Sequence, residues 1–197
     1  MEEKTTRLFR VLKATEKHAG YAQLICDEMA SSARVRGTGI AKRSPELLIQ
    51  KMQEGKAVIA FSEEGKWAGF CYIESWENDK YVSNSGLIVA PEFRQHGLAR
   101  AIKKKILKLS REKFPEAFIF GLTTSSAVMK INSALGYEPV AYPEITSDEK
   151  FWEGCKSCVN YEVLLSKNKK NCFCTAMLFD KVKTKKNSKN QLKEQAA

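Results

Sequence analysis

Apolar and polar positions along the chain fall into short periods, and each period predicts an element. Residues 6–12 read as a first strand, and residues 16–29 place Ala19, Ala22, Leu24, Ile25 and Met29 at helical spacing. The Ser-, Gly- and Arg-rich stretch 30–43 reads as a loop. Ser44-Pro45-Glu46 then opens a helix, with Ser44 as N-cap and Pro45 at the first helical position. Three strands follow at 57–62, 67–76 and 82–89, broken by Glu63-Glu64-Gly65 and Glu77-Asn78-Asp79. Leu98, Ile102, Ile106 and Leu109 share one face of a helix over 98–113. Beyond it the pattern predicts an apolar strand at 117–122 and a helix at 125–135 ended by Gly136. A strand at 137–142, a short helix near 147–154 and two strands, 159–165 and 172–179, complete the series around the turn Asn168-Lys169-Lys170-Asn171.

The stretch Arg94-Gln95-His96-Gly97-Leu98-Ala99 joins the apolar strand end Gly86-Leu87-Ile88-Val89 to the 98–113 helix. Gly97 and the small Ala99 let backbone approach a ligand closely. The N–H groups of the first helical turn point to the same place, with the positive end of the helix dipole behind them. Such a turn suits a pyrophosphate, and Arg94 adds fixed positive charge. The plain alternative is an ordinary strand-to-helix turn with a solvated Arg94.

With its Val-x-Pro lead-in and its Arg-x-x-Gly-x-Ala spacing, this stretch resembles the acyl-coenzyme-A loop of the GNAT superfamily of N-acyltransferases. The element order over about residues 6 to 165 is the one that superfamily shows. The resemblance implies an α/β (α+β) fold: a mixed, mostly antiparallel twisted sheet flanked by helices, here with a Cys-rich C-terminal hairpin. It implies coenzyme A binding by Arg94, Gln95, His96, Gly97, Leu98 and Ala99. His96 packs on the coenzyme or stays solvated. Backbone donors at Ile88 and Val89, where the fourth strand splays from the fifth, would meet pantetheine and the thioester oxygen.

Three further elements look like the acyltransferase domain of N-acetylglutamate synthase. They are Arg43-Ser44-Pro45-Glu46-Leu47, Leu122-Thr123-Thr124, and Gly136-Tyr137-Glu138-Pro139-Val140. Short stand-alone bacterial proteins of arginine biosynthesis are the nearest resemblance, a setting in which the donor is acetyl- or succinyl-coenzyme A. Arg36, Lys42 and Arg43, in the loop that lines the acceptor pocket of this fold, and Thr123 and Thr124 are the implied acceptor contacts. A cationic loop repels amine-rich acceptors and holds a carboxylate, to which Arg offers a bidentate fork. The alternative is a solvated surface loop.

The chain departs from that pattern at two positions. Ser125 stands where these synthases usually carry Arg, leaving it beside the coenzyme. Asn132 stands where many GNAT enzymes place a Tyr as acid toward the departing thiolate, so either another donor acts or the thiolate leaves unassisted. The amino-acid-kinase domain that often accompanies this activity has no counterpart within the 197 residues.

Direct attack of an amine on a thioester needs positioning and a proton acceptor. Glu74 is the candidate base, since period two puts it on one face with Tyr72 and Trp76. A surface carboxylate and a water-relayed proton are the competing accounts. His18, on the first helix, reads as structural.

Cys155-x-x-Cys158 and Cys172-x-Cys174 stand thirteen residues apart. On a hairpin these thiols could hold a structural zinc. Disulfides and reduced packing cysteines are the alternatives. Cys26 and Cys71 fall on apolar patterns and read as core.

Composition adds bounds. Hydrophobic residues at 43% and charged residues at 28% suit a globular chain, and no run is long enough for a membrane helix. Met1-Glu2-Glu3-Lys4 lacks the layout of a signal peptide, so a cytoplasmic protein is expected. Of the net charge of +10, residues 181–197 contribute six Lys against one Glu, and this segment reads as a disordered tail. The expected organisation is a core at 1–150, a C-terminal strand and hairpin at 151–180, and that tail. The expected activity is acyl transfer to the α-amino group of glutamate or a similar acidic amino acid. Expected partners are coenzyme A and a small acidic acceptor, with a homodimer left open and neither nucleic acid nor membrane. The alternatives are a protein or peptide N-acetyltransferase, or a zinc-containing nucleic-acid-binding or regulatory protein on the same scaffold.

Overall fold

The computed structural model describes residues 8–37 and 41–179, without the side chain of Arg36. Strands β1 (Phe9–Lys13), β2 (Ala57–Ser62), β3 (Trp67–Trp76), β4 (Tyr81–Val89), β5 (Phe118–Thr123), β6 (Tyr137–Val140) and β7 (Thr175–Phe179) form one sheet. Their spatial order is β1-β2-β3-β4-β5-β7-β6, and every neighbouring pair is antiparallel except β4 with β5. Helices α1 (Ala22–Arg36), α2 (Pro45–Gln53), α3 (Leu98–Lys113), α4 (Ser126–Ala134), α5 (Glu149–Glu153) and α6 (Tyr161–Ser166) surround it. No described helix is long and apolar enough to cross a membrane.

Both faces of the sheet are covered. Val58, Ala60, Cys71 and Ile73 pack on Leu98, Ile102 and Ile106 of α3. On the opposite face, Ile59, Phe70 and Tyr72 pack on Ile25 and Met29 of α1 and on Leu48 and Met52 of α2. A third cluster, Phe120, Tyr142, Trp152, Leu164 and Leu178, fills the space beside β5 and β7. The mixed, mostly antiparallel sheet expected from the sequence is thus present.

Local signals explain several boundaries. The Ser44 hydroxyl accepts from the Leu47 amide at 3.3 Å, which fixes the start of α2 behind Pro45. Gly136 takes a φ of 91° just past α4, a left-handed conformation that ends a helix.

Other boundaries differ from expectation. The predicted helix at 16–29 opens as a 3-10 turn over Glu16–Tyr21, and α1 then continues to Arg36, inside the predicted loop. Burial of Met29, Ser32 and Ala33 at three- and four-residue spacing carries it on. Residues 159–165, expected as a strand, lie largely in α6, where Tyr161 and Leu164 turn one face into the third cluster. The predicted C-terminal hairpin therefore does not form, and β7 inserts between β5 and β6. The basic tail at 181–197 lies outside the described residues.

Two features open the sheet at its centre. Parallel pairing of β4 with β5 covers only Tyr81 to Ser83 against Phe118 to Phe120, after which the strands diverge. On the other side of β4 the register slips between Phe70↔Ile88 and Tyr72↔Ser85, a bulge. Gly86 sits in it at a φ of 63°, and a Cβ there would fall 2.5 Å from Cε1 of Tyr72. Only glycine satisfies both demands.

Candidate active site

The divergence of β4 and β5 opens into a cavity of about 370 Å³. Asn84, Ser85, Gly86 and Leu87 of β4 form one wall, and Phe120, Gly121, Leu122 and Thr123 of β5 another. Past Ser83 no described strand pairs with the β5-facing edge of β4, so that edge offers backbone groups to a ligand. Glu74 and Trp76 enter from β3, Lys103 from α3, and Val128 and Asn132 from α4. Phe151, Cys155 and Cys158 close the far side.

That far side is anchored at the turn after β3. Glu77, Asn78 and Asp79 take φ values of 51°, 52° and 64°. Glu77 Oε1 accepts from the Thr146 hydroxyl at 2.9 Å and from the Ser147 amide at 2.7 Å. Partial burial works against its charge, yet these hydrogen bonds and Lys80 outweigh it and hold the carboxyl below its ordinary value. Trp152 Nε1 donates to the Thr146 carbonyl at 3.1 Å, and the Phe151 ring meets Trp76 and Phe120 edge-on. Lys42 joins the other rim, its amide donating to Ser157 Oγ at 2.8 Å.

Arg43 is half-buried and held on several sides. Its Nε donates to the Tyr72 hydroxyl, and Nη1 donates to the carbonyls of Ala41 and Lys42 at 2.8 and 3.2 Å. Burial alone would lower the guanidinium's proton affinity, but Tyr72, Glu74 and Cys155 outweigh it, so Arg43 stays charged. Burial pushes Tyr72 well above the usual phenol range, so it remains a neutral acceptor. Glu74 lines the cavity beside Arg43, on the strand face shared with Tyr72 and Trp76.

Most of the expected acceptor and catalytic residues therefore meet in one place: Lys42, Arg43, Glu74, Thr123, Thr124 and Asn132. Arg36 is the last residue of α1, and its side chain lies outside the described residues. Ser125 does not line the cavity; its hydroxyl accepts from the Val128 amide at 3.4 Å and caps α4. Ile88 and Val89 continue β4 beyond the lining, opposite Phe70 and Gly69. The bulge at Gly86 turns the strand, so its cavity-lining stretch comes earlier, at 84–87.

The turn before α3 has the expected backbone. Gln95 and Gly97 take φ values of 65° and 78°, and the first turn of α3, Leu98 and Ala99, directs its N–H groups out of the helix. His96 is exposed and its ring meets Phe9 edge-on at 6.3 Å. Arg94 differs from expectation. Its guanidinium turns to α1, where Nη2 donates to Ser32 Oγ at 2.6 Å and to Glu28 Oε1 at 3.2 Å, while Nε donates to the Val89 carbonyl at 3.1 Å. A carboxylate on α1 competes for the charge the sequence offered to a phosphate.

The cysteines also depart from expectation. Cys155 lies within the 3-10 turn Gly154–Ser157 and Cys158 follows it, while Cys172 and Cys174 precede β7 rather than lying in it. The thiols gather near Tyr142, whose hydroxyl donates to the Cys174 carbonyl at 2.9 Å. Burial, then neighbouring thiols, push Cys155 up to about 11 and Cys174 to about 12. Among the described residues no group of three or more His, Cys, Asp or Glu is disposed to hold a metal ion.

Sequence reasoning missed Asn84, Leu87, Lys103 and Phe151, all of which line the cavity. It also missed the role of Tyr72 as the support of Arg43.

The sequence profile described as Acetyltransferase (GNAT) family matches residues 26–126. No curated protein matches the chain in sequence. Among solved structures, N-acetylglutamate synthase from Neisseria gonorrhoeae, complexed with coenzyme A and N-acetyl-glutamate, superposes with a TM-score of 0.62 at 15% identity. That match covers 87% of this chain and 34% of the Neisseria chain, so this chain spans about a third of that protein's length. A Mycobacterium tuberculosis protein in complex with CoA and NLQ gives a TM-score of 0.62 at 18% identity, covering 86% of this chain and 98% of the other. A GNAT-family acetyltransferase from Listeria monocytogenes gives 0.54 at 14% identity, covering 67% and 87%.

Proposed function

Since the chain belongs to the acetyltransferase (GNAT) family, we propose that it transfers an acyl group from acyl-coenzyme A to the α-amino group of glutamate or a similar acidic amino acid. The observation that carries this reading is the charge of the cavity. Lys42, Arg43, Lys103 and Lys150 line it against one carboxylate, Glu74. A polyamine or a lysine side chain would meet net repulsion there, whereas an acceptor with two carboxylates and one amine matches it. The fold similarity to a synthase complexed with N-acetyl-glutamate supports the same choice.

In this reading coenzyme A lies along the 94–99 turn, with its pyrophosphate on the first-turn amides of α3. Pantetheine enters between β4 and β5, and backbone N–H groups of β4 stabilise the thioester oxygen as it gains charge. Arg43 grips an acceptor carboxylate with its outer nitrogen, while Tyr72 and two carbonyls hold the rest of the guanidinium. Lys42 and Lys150 add charge at the rim, and Thr123 and Thr124 offer hydroxyls. Glu74 takes the proton from the acceptor ammonium, directly or through one water. The amine then attacks the carbonyl carbon and the thiolate leaves, with no covalent enzyme intermediate.

Acetyl- and succinyl-coenzyme A are both donors for which the reading has room. A thiol-release assay with each donor, against acidic amino acids, glutamine, lysine and polyamines, tests it. Turnover with glutamate is expected; turnover confined to amines or peptides would overturn the acceptor and leave the family intact.

A further inference from the structure

Lys103 is a buried cation without an anionic partner. It lies on the sheet-facing side of α3 at 2% exposure. An ammonium so placed normally demands a carboxylate. Among the described residues none pairs with it and no acceptor hydrogen-bonds its Nζ. The Nζ stands 5.0 Å above the centre of the Tyr137 ring, a cation–π contact. Nearby polar groups are already engaged with one another. The Tyr137 hydroxyl donates to Asn84 Oδ1 at 2.9 Å, and Asn84 Nδ2 donates to Ser110 Oγ at 2.8 Å.

A second buried polar group beside the same cavity is unsatisfied. Asn132 is 1% exposed, and its Oδ1 has no hydrogen-bond partner. Its Nδ2 reaches only the Met177 sulfur at 3.6 Å. Lys103 and Asn132 both line the cavity where β4 and β5 part. A buried cation with no anion against it and a buried acceptor with no donor mark a place where charge arrives with a ligand.

Resting on the acyl-coenzyme-A reading above, we propose that Lys103 donates the proton that the coenzyme sulfur takes up as the C–S bond breaks. The acceptor amine forms the new C–N bond with its lone pair. The tetrahedral intermediate collapses, C–S cleaves, and the electron pair stays on sulfur. An N–H bond of the Lys103 ammonium breaks, giving the free thiol and a neutral amine. The proton first released by the acceptor ammonium returns to Lys103 through water in the cavity, so protons balance over the cycle. Asn132 cannot supply that proton, because an amide is not an acid in this range. Its carbonyl oxygen, which has no partner of its own, lines the same cavity and is open to a donor on the ligand. Within a site shielded from water a fixed cation stabilises a nascent thiolate strongly.

Burial lowers the proton affinity of Lys103, which brings it closer to that of a thiol. The titratable groups facing it are Cys71 of β3 and Tyr137 of β6. Burial pushes Cys71 up to about 11 and Tyr137 higher still, so both are neutral at working pH.

The test is independent of the acceptor. Coenzyme A bound to the protein is titrated by thiolate absorbance, with the desulfo-coenzyme A complex subtracted to remove the protein's own cysteines. In the wild type the bound thiol should ionise at least about one pH unit lower than in Lys103→Met. The kcat of Lys103→Met should fall by roughly 100-fold, with the KM for acyl-coenzyme A little changed. Lys103→Gln is the second variant, and thermal melts establish that each is folded. Equal ionisation midpoints in wild type and variants would overturn the proposal while leaving the acyltransferase reading in place. Failure of the wild type to bind coenzyme A would overturn both.

Discussion

The Nε of Arg43 donates to the hydroxyl of Tyr72, joining the segment before α2 to the middle of β3. Tyr72 is itself fully buried against Gly86, so the bond ties the acceptor side of the cavity to the bulge that opens it. Tyr72→Phe keeps the ring and removes only the acceptor oxygen. The expected result is a rise in acceptor KM of about fivefold, equivalent to one net hydrogen bond, with kcat nearly unchanged. Steady-state kinetics at fixed acyl-coenzyme A reads it.

Gly86→Ala should be far more damaging than its size suggests. A Cβ would fall 2.5 Å from Tyr72 Cε1 and 3.0 Å from Met29 Cε, at a φ of 63° that L-residues avoid. Left-handed strain alone costs about 1–3 kcal/mol. Urea unfolding should show at least that loss, and acceptor affinity should fall with it because Tyr72 must move. An unchanged midpoint would mean that the bulge is not held as described.

Glu74→Gln preserves shape and removes the basic oxygen. With Glu74 as proton acceptor, kcat/KM at neutral pH should fall by about 100-fold or more, and raising the pH should recover part of it by supplying free amine. A full rate in the variant would transfer the role to solvent.

The Glu77 tether predicts a dependence on acid. Hydrogen bonds from Ser147 and Thr146 hold its carboxyl below the ordinary value, overcoming partial burial. A lowered folded pKa means stability that is present above the unfolded value, about 4.3, and lost as pH falls through the folded value. Wild type should therefore melt above Glu77→Gln at pH 7, with the gap closing on acidification. A gap that stays constant from neutral to acid pH would contradict the tether.

Much of this architecture is legible in the sequence because its signals are local. Ser44-Pro45 starts α2, Gly136 ends α4, and the stripe Leu98, Ile102, Ile106 places α3 on the sheet. Of the site, Arg43, Glu74 and Asn132 were readable from motif position and strand period. What failed depended on partners distant in sequence. Arg94 reads from the sequence as a phosphate contact, whereas in the structure its guanidinium meets Glu28 and Ser32 on α1. Residues 159–165 carry Val159, Tyr161 and Val163, which favour a strand, until the third cluster recruits Tyr161 and Leu164 as a helical face. Lys103 was hidden by its charge. It stands three and four residues before Ile106 and Leu107, on the buried side, where a polar letter argues against burial.

The most direct measurement is kcat/KM for L-glutamate and L-lysine in the wild type and in Arg43→Ala. If Arg43 grips an acceptor carboxylate, the wild type should prefer glutamate, and the variant should lose about 100-fold on it, chiefly through KM. Equal use of glutamate by wild type and variant, or a wild-type preference for lysine, would contradict an acidic acceptor in this cavity.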